Sequence, residues 1–241
     1  MPPILVFALA AVVLFAGGIF AIRASGARPG MARRLAGARE VRVGDLLDTQ
    51  LPPNRPVRVA GRIRCPDPIV TETDDRLVAF HRDVQVKPPG GPWRTIERIR
   101  EARGFELWDH DGSLGMDPAL AAEPLVVIPH VWRGSSRELT NDAYRSALAR
   151  LGADGAAWPA RSVTRMVSVV ERLLVLASVQ HSEAGVVLAP PPGGYVISGL
   201  ELDDAMRLLG GHRQWLLLGG YAAIAMGALV AVAGVVWAAL G

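Results

Sequence analysis

Side chains that could carry out chemistry are concentrated at Asp109-His110-Asp111, where two carboxylates flank an imidazole. One interpretation is a cation site, because both groups are common metal ligands. The other is a polar turn at the end of a β-hairpin, in which an aspartate accepts hydrogen bonds from backbone amides. Gly112 follows at once, and Asp-Gly is a typical hairpin turn, so we favour the second interpretation.

Cys65 is the second candidate, because a cysteine beside arginines can act as a nucleophile. A small buried core residue is the commoner role for such a cysteine, and we favour it here. His81 lies inside a predicted strand, while His130 and His181 are isolated, so none has a partner carboxylate at a telling spacing. One cysteine and five histidines also exclude a cross-brace zinc fold.

Other signatures of catalysis are missing from the sequence. It contains no HExxH, GxSxG, Walker or GxGxxG pattern with the required flanks. Trp93, Trp108 and Trp132 are expected to fill the core rather than to stack on a ligand. The sequence therefore predicts no catalytic residue, no cofactor-binding residue and no metal ligand.

The elements that must position these residues begin with two uncharged stretches. No charged side chain occurs in residues 2–22 or 214–241 of this 241-residue chain. Each stretch reaches the roughly 20 residues that a helix needs to cross a hydrocarbon core of about 30 Å. We predict transmembrane helices over residues 1–22 and 214–240, with membrane lipid as a partner and one soluble domain over residues 43–210 between them.

Arginines are concentrated just after the first helix, in a predicted juxtamembrane linker over residues 23–42. Glu40 is the only acid there, and the basic residues are Arg23, Arg28, Arg33, Arg34, Arg39 and Arg42. Basic residues close to a span stay on the cytoplasmic side. The sequence therefore predicts a two-pass integral membrane protein with a cytoplasmic domain and both termini on the opposite side. The linker is either extended or a surface helix that rests on anionic lipid.

Two further features bear on this topology. A cleaved signal peptide is the alternative for the N-terminus, with Ala24-Ser25-Gly26 as its cleavage site, but no basic region precedes the apolar run. The single cysteine fits a reducing compartment. Of the 26 basic residues only Lys87 is not an arginine, and in most of the middle region they alternate with acids, which argues against a nucleic-acid partner.

Small residues recur along both predicted spans. Gly219, Ala223, Gly227 and Ala231 are spaced by four in the second span, and the first span offers Gly17, Gly18 and Ala21. Such a ridge lets another helix approach closely, so we predict a packed helix pair or a helix-mediated homodimer. The alternative is that Ala and Gly are simply abundant. Neither span carries an ionisable residue, so both are interpreted as anchors.

The middle of the chain alternates apolar and polar residues in the way typical of half-buried strands. Strands are predicted over residues 57–63, 77–86, 93–99, 125–128, 186–188 and 195–198, a hairpin over 105–116, and helices over 137–151 and 201–209. The apolar run 169–179 is a strand pair or a helix, and we favour strands. The expected fold is an α+β membrane protein whose mostly antiparallel domain forms a small barrel or a curled sheet, with one or two helices.

Several of these segments, taken in order, carry a resemblance to a known family. They are Val59-x-Gly61-x-Ile63-x-Cys65-x-x-Pro68-Ile69, a strand near 78–80, Trp93, Phe105-x-Leu107-x-Asp109-x-x-Gly112, Asp117-Pro118, Val175-Leu176-Ala177, Gly185-x-x-Leu188-x-Pro190-Pro191 and Tyr195-Val196-Ile197-Ser198. This order resembles the "beside a membrane" (BAM) or GIDE domain, which also lies between two membrane spans. A family cysteine near the second strand is replaced by Leu77, which argues against a ligand pair.

The best-known members of that family are membrane E3 ubiquitin ligases with a RING after the second span. The sequence ends at Gly241 without a RING, so we expect a RING-less, prokaryotic relative without intrinsic ligase activity. The resemblance implies a membrane-tethered, non-enzymatic module that binds a protein partner at the membrane surface. The alternative is a component of a ubiquitin-like protein ligase pathway that needs a separate RING or E2 partner.

Overall fold

The computed structural model describes residues 3–48, 55–117, 121, 123–153, 155, 157–182, 185–211 and 214–240. Contacts group the chain into two units. One is helical and combines the two ends of the chain, up to Ala36 and from Met206, and the other is central and runs from Gly37 to Ala205. In the helical unit, helix α1 covers Pro3–Ser25, α2 covers Arg28–Gly37 and α6 covers Gln214–Leu240. Helix α5, Leu202–Gly210, contains the boundary between the units.

Helices α1 and α6 are the predicted apolar helices at the two ends of the chain. The windows Leu5–Ala24 and Leu218–Ala238 are long and apolar enough to cross a membrane. Only 11% of each window is buried, whereas the core helix of a soluble protein would be covered on most sides. Their exposed side chains include Leu9, Phe20 and Trp237. This arrangement confirms the expected pair of terminal apolar helices.

Glycines bring α1 and α6 into close contact. A Cβ atom added to Gly18 would lie 2.7 Å from Ile224 Cγ1 and 2.8 Å from the Gly220 carbonyl oxygen. Further along α6, Gly227 lies against Leu14, and Gly234 lies against Phe7, where a Cβ would come within 2.8 Å of the Phe7 Cβ. Rising numbers on α6 meet falling numbers on α1, so the two helices are antiparallel.

The sequence predicted only part of this contact: it singled out Gly18 and Gly227 but neither Gly220 nor Gly234. The buried glycines on α6 are Gly220, Gly227 and Gly234, which are spaced by seven. Of the predicted four-residue ridge only Gly227 is buried, and added Cβ atoms at Gly219 and Gly17 would meet nothing within 4 Å. A repeat of seven stays on the seam between two nearly antiparallel helices, whereas a repeat of four drifts away from it. The helix-pair interpretation holds, and the homodimer remains a prediction.

Residues 23–42 are more structured than the predicted linker. Helix α2 buries Met31 and Leu35, which are four residues apart and so share one face. Strand β1, Arg39–Val41, then pairs in parallel with β2, Pro56–Arg64. Residues 28–37 therefore form a helix, as in the second of the two interpretations of this segment, and residues 39–41 form a strand. The central unit accordingly starts at Gly37 rather than at residue 43.

The central unit contains two sheets that are antiparallel apart from the pairing of β1 with β2. In the first, the strand order is β11-β10-β2-β6-β7, with β12 beside β10. In the second, β4 lies between β5 and β9, β9 also pairs with β8, and the short β3 pairs with β4. The strand bounds are β3 Ile69–Val70, β4 Arg76–Val86, β5 Arg94–Ala102, β6 Phe105–Asp109, β7 Gly112–Met116, β8 His130–Ser135, β9 Pro159–Ser168, β10 Arg172–Ser182, β11 Gly185–Ala189 and β12 Val196–Ser198.

The predicted barrel does not form among the described residues. The first sheet curls until β7 comes near β11, but no ladder of hydrogen bonds joins these two described strands. The short helix α3, Val43–Asp48, packs against β6 and β7. At Cys65-Pro66-Asp67-Pro68, prolines that cannot donate to a ladder end β2, and the chain leaves the first sheet to start the second.

Two apolar cores support these sheets. The larger core packs the inner faces of the first sheet against the base of β4 and β9, and it includes the fully buried Val59, Leu107 and Val175. In it, the buried Tyr195 hydroxyl donates to the Leu188 carbonyl oxygen at 2.7 Å. The smaller core lies between the second sheet and helix α4, Asp142–Arg150, and contains Val84 and Leu148.

Some predicted elements differ from the observed ones. Residues 125–128 form only a single bridge, at Val126, and the strand begins later, at His130. The predicted helix 137–151 divides into a 3-10 turn at Ser136–Glu138 and α4, which starts after its N-cap Asn141. Strand β9 was not predicted, because polar residues on both of its faces remove the alternation. Residues 183–184, just before the predicted strand 186–188, lie outside the described residues, as does Pro118.

The contact of α1 with Gly220, Gly227 and Gly234 of α6, here called the glycine seam, predicts a specific crosslink between the two apolar helices. In a Cys65→Ser background, cysteines at Phe7 and Gly234 are expected to form an intramolecular disulfide under mild oxidation, because their Cβ positions lie 2.8 Å apart and a small separation of the helices would give the roughly 3.5–4.5 Å of a disulfide. Adding Gly220→Leu should lower the disulfide yield severalfold, since overpacking costs about 1–3 kcal/mol. The measurement is non-reducing gel mobility of the full chain in membranes.

Gly219→Leu is the matched control, because the neighbouring glycine meets nothing within 4 Å. It should leave the crosslink yield unchanged. Equal losses from both substitutions would contradict the seam.

Candidate functional site

An open cleft of about 1260 Å³ lies on the first sheet of the central unit. Its walls come from the β6–β7 turn, the segment from β1 to α3, the middle of β2 and the β9–β10 turn. The lining residues are Glu40, Val41, Arg42, Asp45, Ala60, Gly61, Arg62, Ile63, Trp108, Asp109, His110, Asp111, Val169, Val170 and Arg172. The cleft therefore contains the Asp109-His110-Asp111 triplet that the sequence analysis singled out.

The Asp109 carboxylate holds two elements of this cleft together. Its Oδ2 accepts a hydrogen bond from the Val43 amide at 3.2 Å, and its Oδ1 accepts one from the Asp111 amide at 2.9 Å. Asp111 packs over Gly44, where a Cβ atom would lie 2.5 Å from the Asp111 Cβ. Since both carboxylate oxygens of Asp109 are bonded to backbone amides, this side chain fixes the hairpin turn against the start of α3. The predicted polar turn is the observed structure.

The lining of the cleft combines charges of both signs with one exposed apolar residue. Acidic and basic side chains are equal in number if His110 is counted as basic: they are Glu40, Asp45, Asp109 and Asp111 on one side, and Arg42, Arg62, Arg172 and His110 on the other. Glu40 pairs with Arg58 at 2.9 Å. Val170 at the rim is 87% exposed. Enclosed apolar pockets suit small ligands, whereas an open, mixed-charge surface suits a polar protein contact.

No group of three or more His, Cys, Asp or Glu side chains within the described ranges is placed to hold a metal ion. Cys65 is half-buried against the larger core, and its thiol donates to the Gly104 carbonyl oxygen at 3.5 Å. His130 and His181 are exposed on β8 and β10, opposite Thr164 and Val186. The structure brings none of these three residues together with the Asp109 triplet.

The three tryptophans do not fill the core, and that prediction was wrong. Trp132 is exposed, and Trp93 and Trp108 are half-buried. Each of the latter two carries an arginine over its ring, Arg161 at 4.2 Å from the Trp93 centroid and Arg64 at 5.4 Å from the Trp108 centroid. These cation–π contacts place the indoles at the surface, because a guanidinium needs access to water.

Around His81 lies a polar network that the sequence analysis missed. His81 is buried on β4 between Arg100 on β5 and Arg165 on β9. Burial, together with the charge of Arg100, lowers the pKa of His81 to about 4. Arg100 in turn donates to Asp83 at 2.9 Å and to Glu123 at 2.8 Å. Only the strand register brings these residues together, so their spacing in the sequence gave no signal.

Comparison with known proteins provides no relative from which a function could be carried over. No protein-family model, no curated protein and no solved structure matches this chain. Function is therefore inferred from the geometry of the chain itself.

The buried histidine predicts a pH dependence of stability. The pKa of His81 is lower in the folded protein, about 4, than its usual value of 6.5, so the unfolded state binds more protons between these pH values. The stabilisation by neutral His81 is therefore complete above pH 6.5 and is lost as the pH falls towards about 4. In His81→Gln, the loss over this window should be smaller by about 1–2 kcal/mol.

The free energy of unfolding of the full chain in micelles is measured by denaturant titration at several pH values, with near-ultraviolet circular dichroism as the signal. His110→Gln is the control, because His110 is exposed and should leave the wild-type slope unchanged. An identical slope for wild type and His81→Gln would contradict this prediction.

Proposed function

We propose that this protein is a two-pass, membrane-tethered and non-enzymatic module whose central unit binds a protein partner beside the bilayer. The observation that carries the proposal is the antiparallel contact of α1 and α6, which sets Gly18 opposite Gly220. The end of α1 and the start of α6 therefore lie at the same end of the helix pair. Two apolar helices in this arrangement would insert as a hairpin and leave both connections to the central unit on one side of the membrane.

Charge supports a cytoplasmic orientation for that side. Arg23 lies at the end of the first apolar window, Arg28, Arg33 and Arg34 follow it, and no acidic residue accompanies them before Glu40. Basic residues this close to a span favour the cytoplasmic face. Both termini would then lie on the opposite side.

The cleft supports a protein partner. Its exposed charges of both signs and the exposed Val170 give a surface on which polar rim contacts can surround an apolar contact. Asp109 and Cys65, the side chains that suggested chemistry, are bonded to backbone groups of the fold. Tethering would confine the central unit to a thin layer, so even weak partners would meet it at high effective concentration.

The resemblance to the BAM or GIDE domain supports the same role. The family-like segments at Val59–Ile63, Phe105–Gly112, Val175–Ala177 and Val196–Ser198 are far apart in sequence but lie on connected strands of the first sheet. This clustering also favours a second candidate, a component of a ubiquitin-like protein ligase pathway that acts with a separate RING or E2 partner. Conjugation assays that reconstitute the full chain with such partners distinguish the two candidates.

The native cysteine provides a direct test of the orientation. A membrane-impermeant maleimide should label Cys65 only after cells are permeabilised, whereas a cysteine appended after Gly241 in a Cys65→Ser background should be labelled in intact cells.

The partner is tested with a photo-crosslinking amino acid at Val170, which should give a discrete protein adduct. The same group at the exposed Gln180, on β10 away from the cleft, is the control.

Labelling of Cys65 in intact cells would overturn the orientation. Identical adducts from Val170 and Gln180, or none from either, would overturn the cleft as the partner surface.

A further inference from the structure

The second sheet has one face that packs against helix α4 and an opposite face that is exposed on its β8–β9 side, whereas His81 on β4 is buried there. On the covered face, Val84 and Val86 pack against Tyr144 and Leu148 of α4. Successive side chains on a strand point to opposite faces. The residues of β5, β8 and β9 that are in register with His81, Asp83 and Gln85 of β4 therefore lie on the face away from α4. We call this face the arginine face. Its charged and polar members are His81, Asp83, Gln85, Thr95, Arg98, Arg100, Arg133, Arg161 and Arg165.

Positive charge dominates the arginine face. It carries five guanidinium groups, and among the described strand residues on it Asp83 is the only acid. Glu123, from the segment before β8, adds a second carboxylate. Both carboxylates are already bonded to Arg100, and Asp83 also pairs with Arg98 at 3.3 Å. Among the described residues, Arg133 and Arg161 on the β8–β9 side take no part in these ion pairs.

Two contacts orient the Arg161 side chain. Its Nε donates to the Gln85 side-chain oxygen at 2.8 Å, and its guanidinium lies 4.2 Å from the centroid of the Trp93 ring. Its two terminal nitrogens make no hydrogen bond to the described part of the chain. A stacked, planar fork with free terminal donors matches a carboxylate in a bidentate arrangement. Because the fork is ordered in advance, binding loses less side-chain entropy.

Arg133 lies directly opposite Arg161 on the neighbouring strand. Like charges in this position destabilise a sheet unless an anion lies between them. Val131 and Val163 form the next pair on the same face, and Val131 is 40% exposed. The face therefore offers two adjacent guanidinium groups beside a small apolar strip.

We propose that the arginine face binds an acidic, extended segment of the partner protein, with a carboxylate seated between Arg161 and Arg133. Four strands about 4.8 Å apart make the face about 15 Å wide, which matches four or five extended residues. This inference rests on the proposed partner-binding function and names the chemistry of the partner. A bidentate fork and an apolar strip favour a peptide over a lipid surface, which needs only diffuse charge.

The test uses the full chain in nanodiscs of zwitterionic lipid and a fluorescein-labelled peptide of ten glutamates. Anisotropy should report binding that weakens with salt, and a peptide of ten glutamines should not bind. Arg161→Gln and Arg133→Gln should each weaken binding about fivefold, and more together. Arg161→Lys should restore only part of the affinity, since an ammonium keeps the charge but loses the fork.

Arg150→Gln is the matched control, because it removes the same charge from α4, which packs on the covered face. Its effect should be less than about twofold. Equal losses from Arg150→Gln and Arg161→Gln would overturn the proposal, as would undiminished binding in the Arg133/Arg161 double variant. A circular dichroism melt of each variant verifies that its fold is intact.

Two further outcomes separate the inferences. If the nanodisc protein associates with phosphatidylserine vesicles through Arg133 and Arg161 but ignores the glutamate peptide, the face is a lipid surface and the proposal fails. If the peptide binds while maleimide labels Cys65 in intact cells, the arginine face stands and the proposed cytoplasmic orientation falls. If Val170 gives a protein adduct but the peptide does not bind, the cleft stands as the partner surface and the arginine-face proposal fails.

Discussion

The proposed membrane tethering of this protein depends on the close approach of two helix backbones at Gly18 and Gly220. At this point an added methyl group on either helix would come within 3 Å of the other helix. Close packing of small residues is what holds apolar helices together in lipid, where the hydrophobic effect cannot. The contact also sets the antiparallel direction, so the chain between the helices starts and ends at one side. The remaining apolar side chains of both helices face outward and suit a hydrocarbon solvent.

The central unit follows a different principle, in which charge is placed by strand register. Prolines end strand β2, and the chain passes to the second sheet, which has one apolar face against α4 and one charged face opposite it. On the charged face, Arg100 forms salt bridges with Asp83 and Glu123, and burial next to Arg100 lowers the pKa of His81 to about 4. On the first sheet, Asp109 uses its charge to fix a turn. The same residue types thus serve as structure in one place and as accessible surface in another.

The sequence was sufficient for features that depend on local pattern. Two long uncharged runs predicted α1 and α6, alternation predicted β2 and β4, and the Asp-Gly pair predicted the β6–β7 hairpin. Features that depend on pairing between distant segments could not be predicted in this way. The helix seam uses Gly220 rather than Gly219, because the antiparallel geometry selects a repeat of seven. His81, Arg100 and Arg165 are neighbours only through the register of three strands. Strand β9 was missed because polar residues occur on both of its faces and remove the alternation that predicts a strand.

Alkaline carbonate extraction of membranes that contain the full-length protein tests the central claim most directly. Peripheral proteins are released by this treatment, whereas helices buried in hydrocarbon remain. The protein should stay in the membrane pellet and be released only by detergent. Its recovery in the alkaline supernatant would contradict insertion of α1 and α6 and, with it, the tethered function.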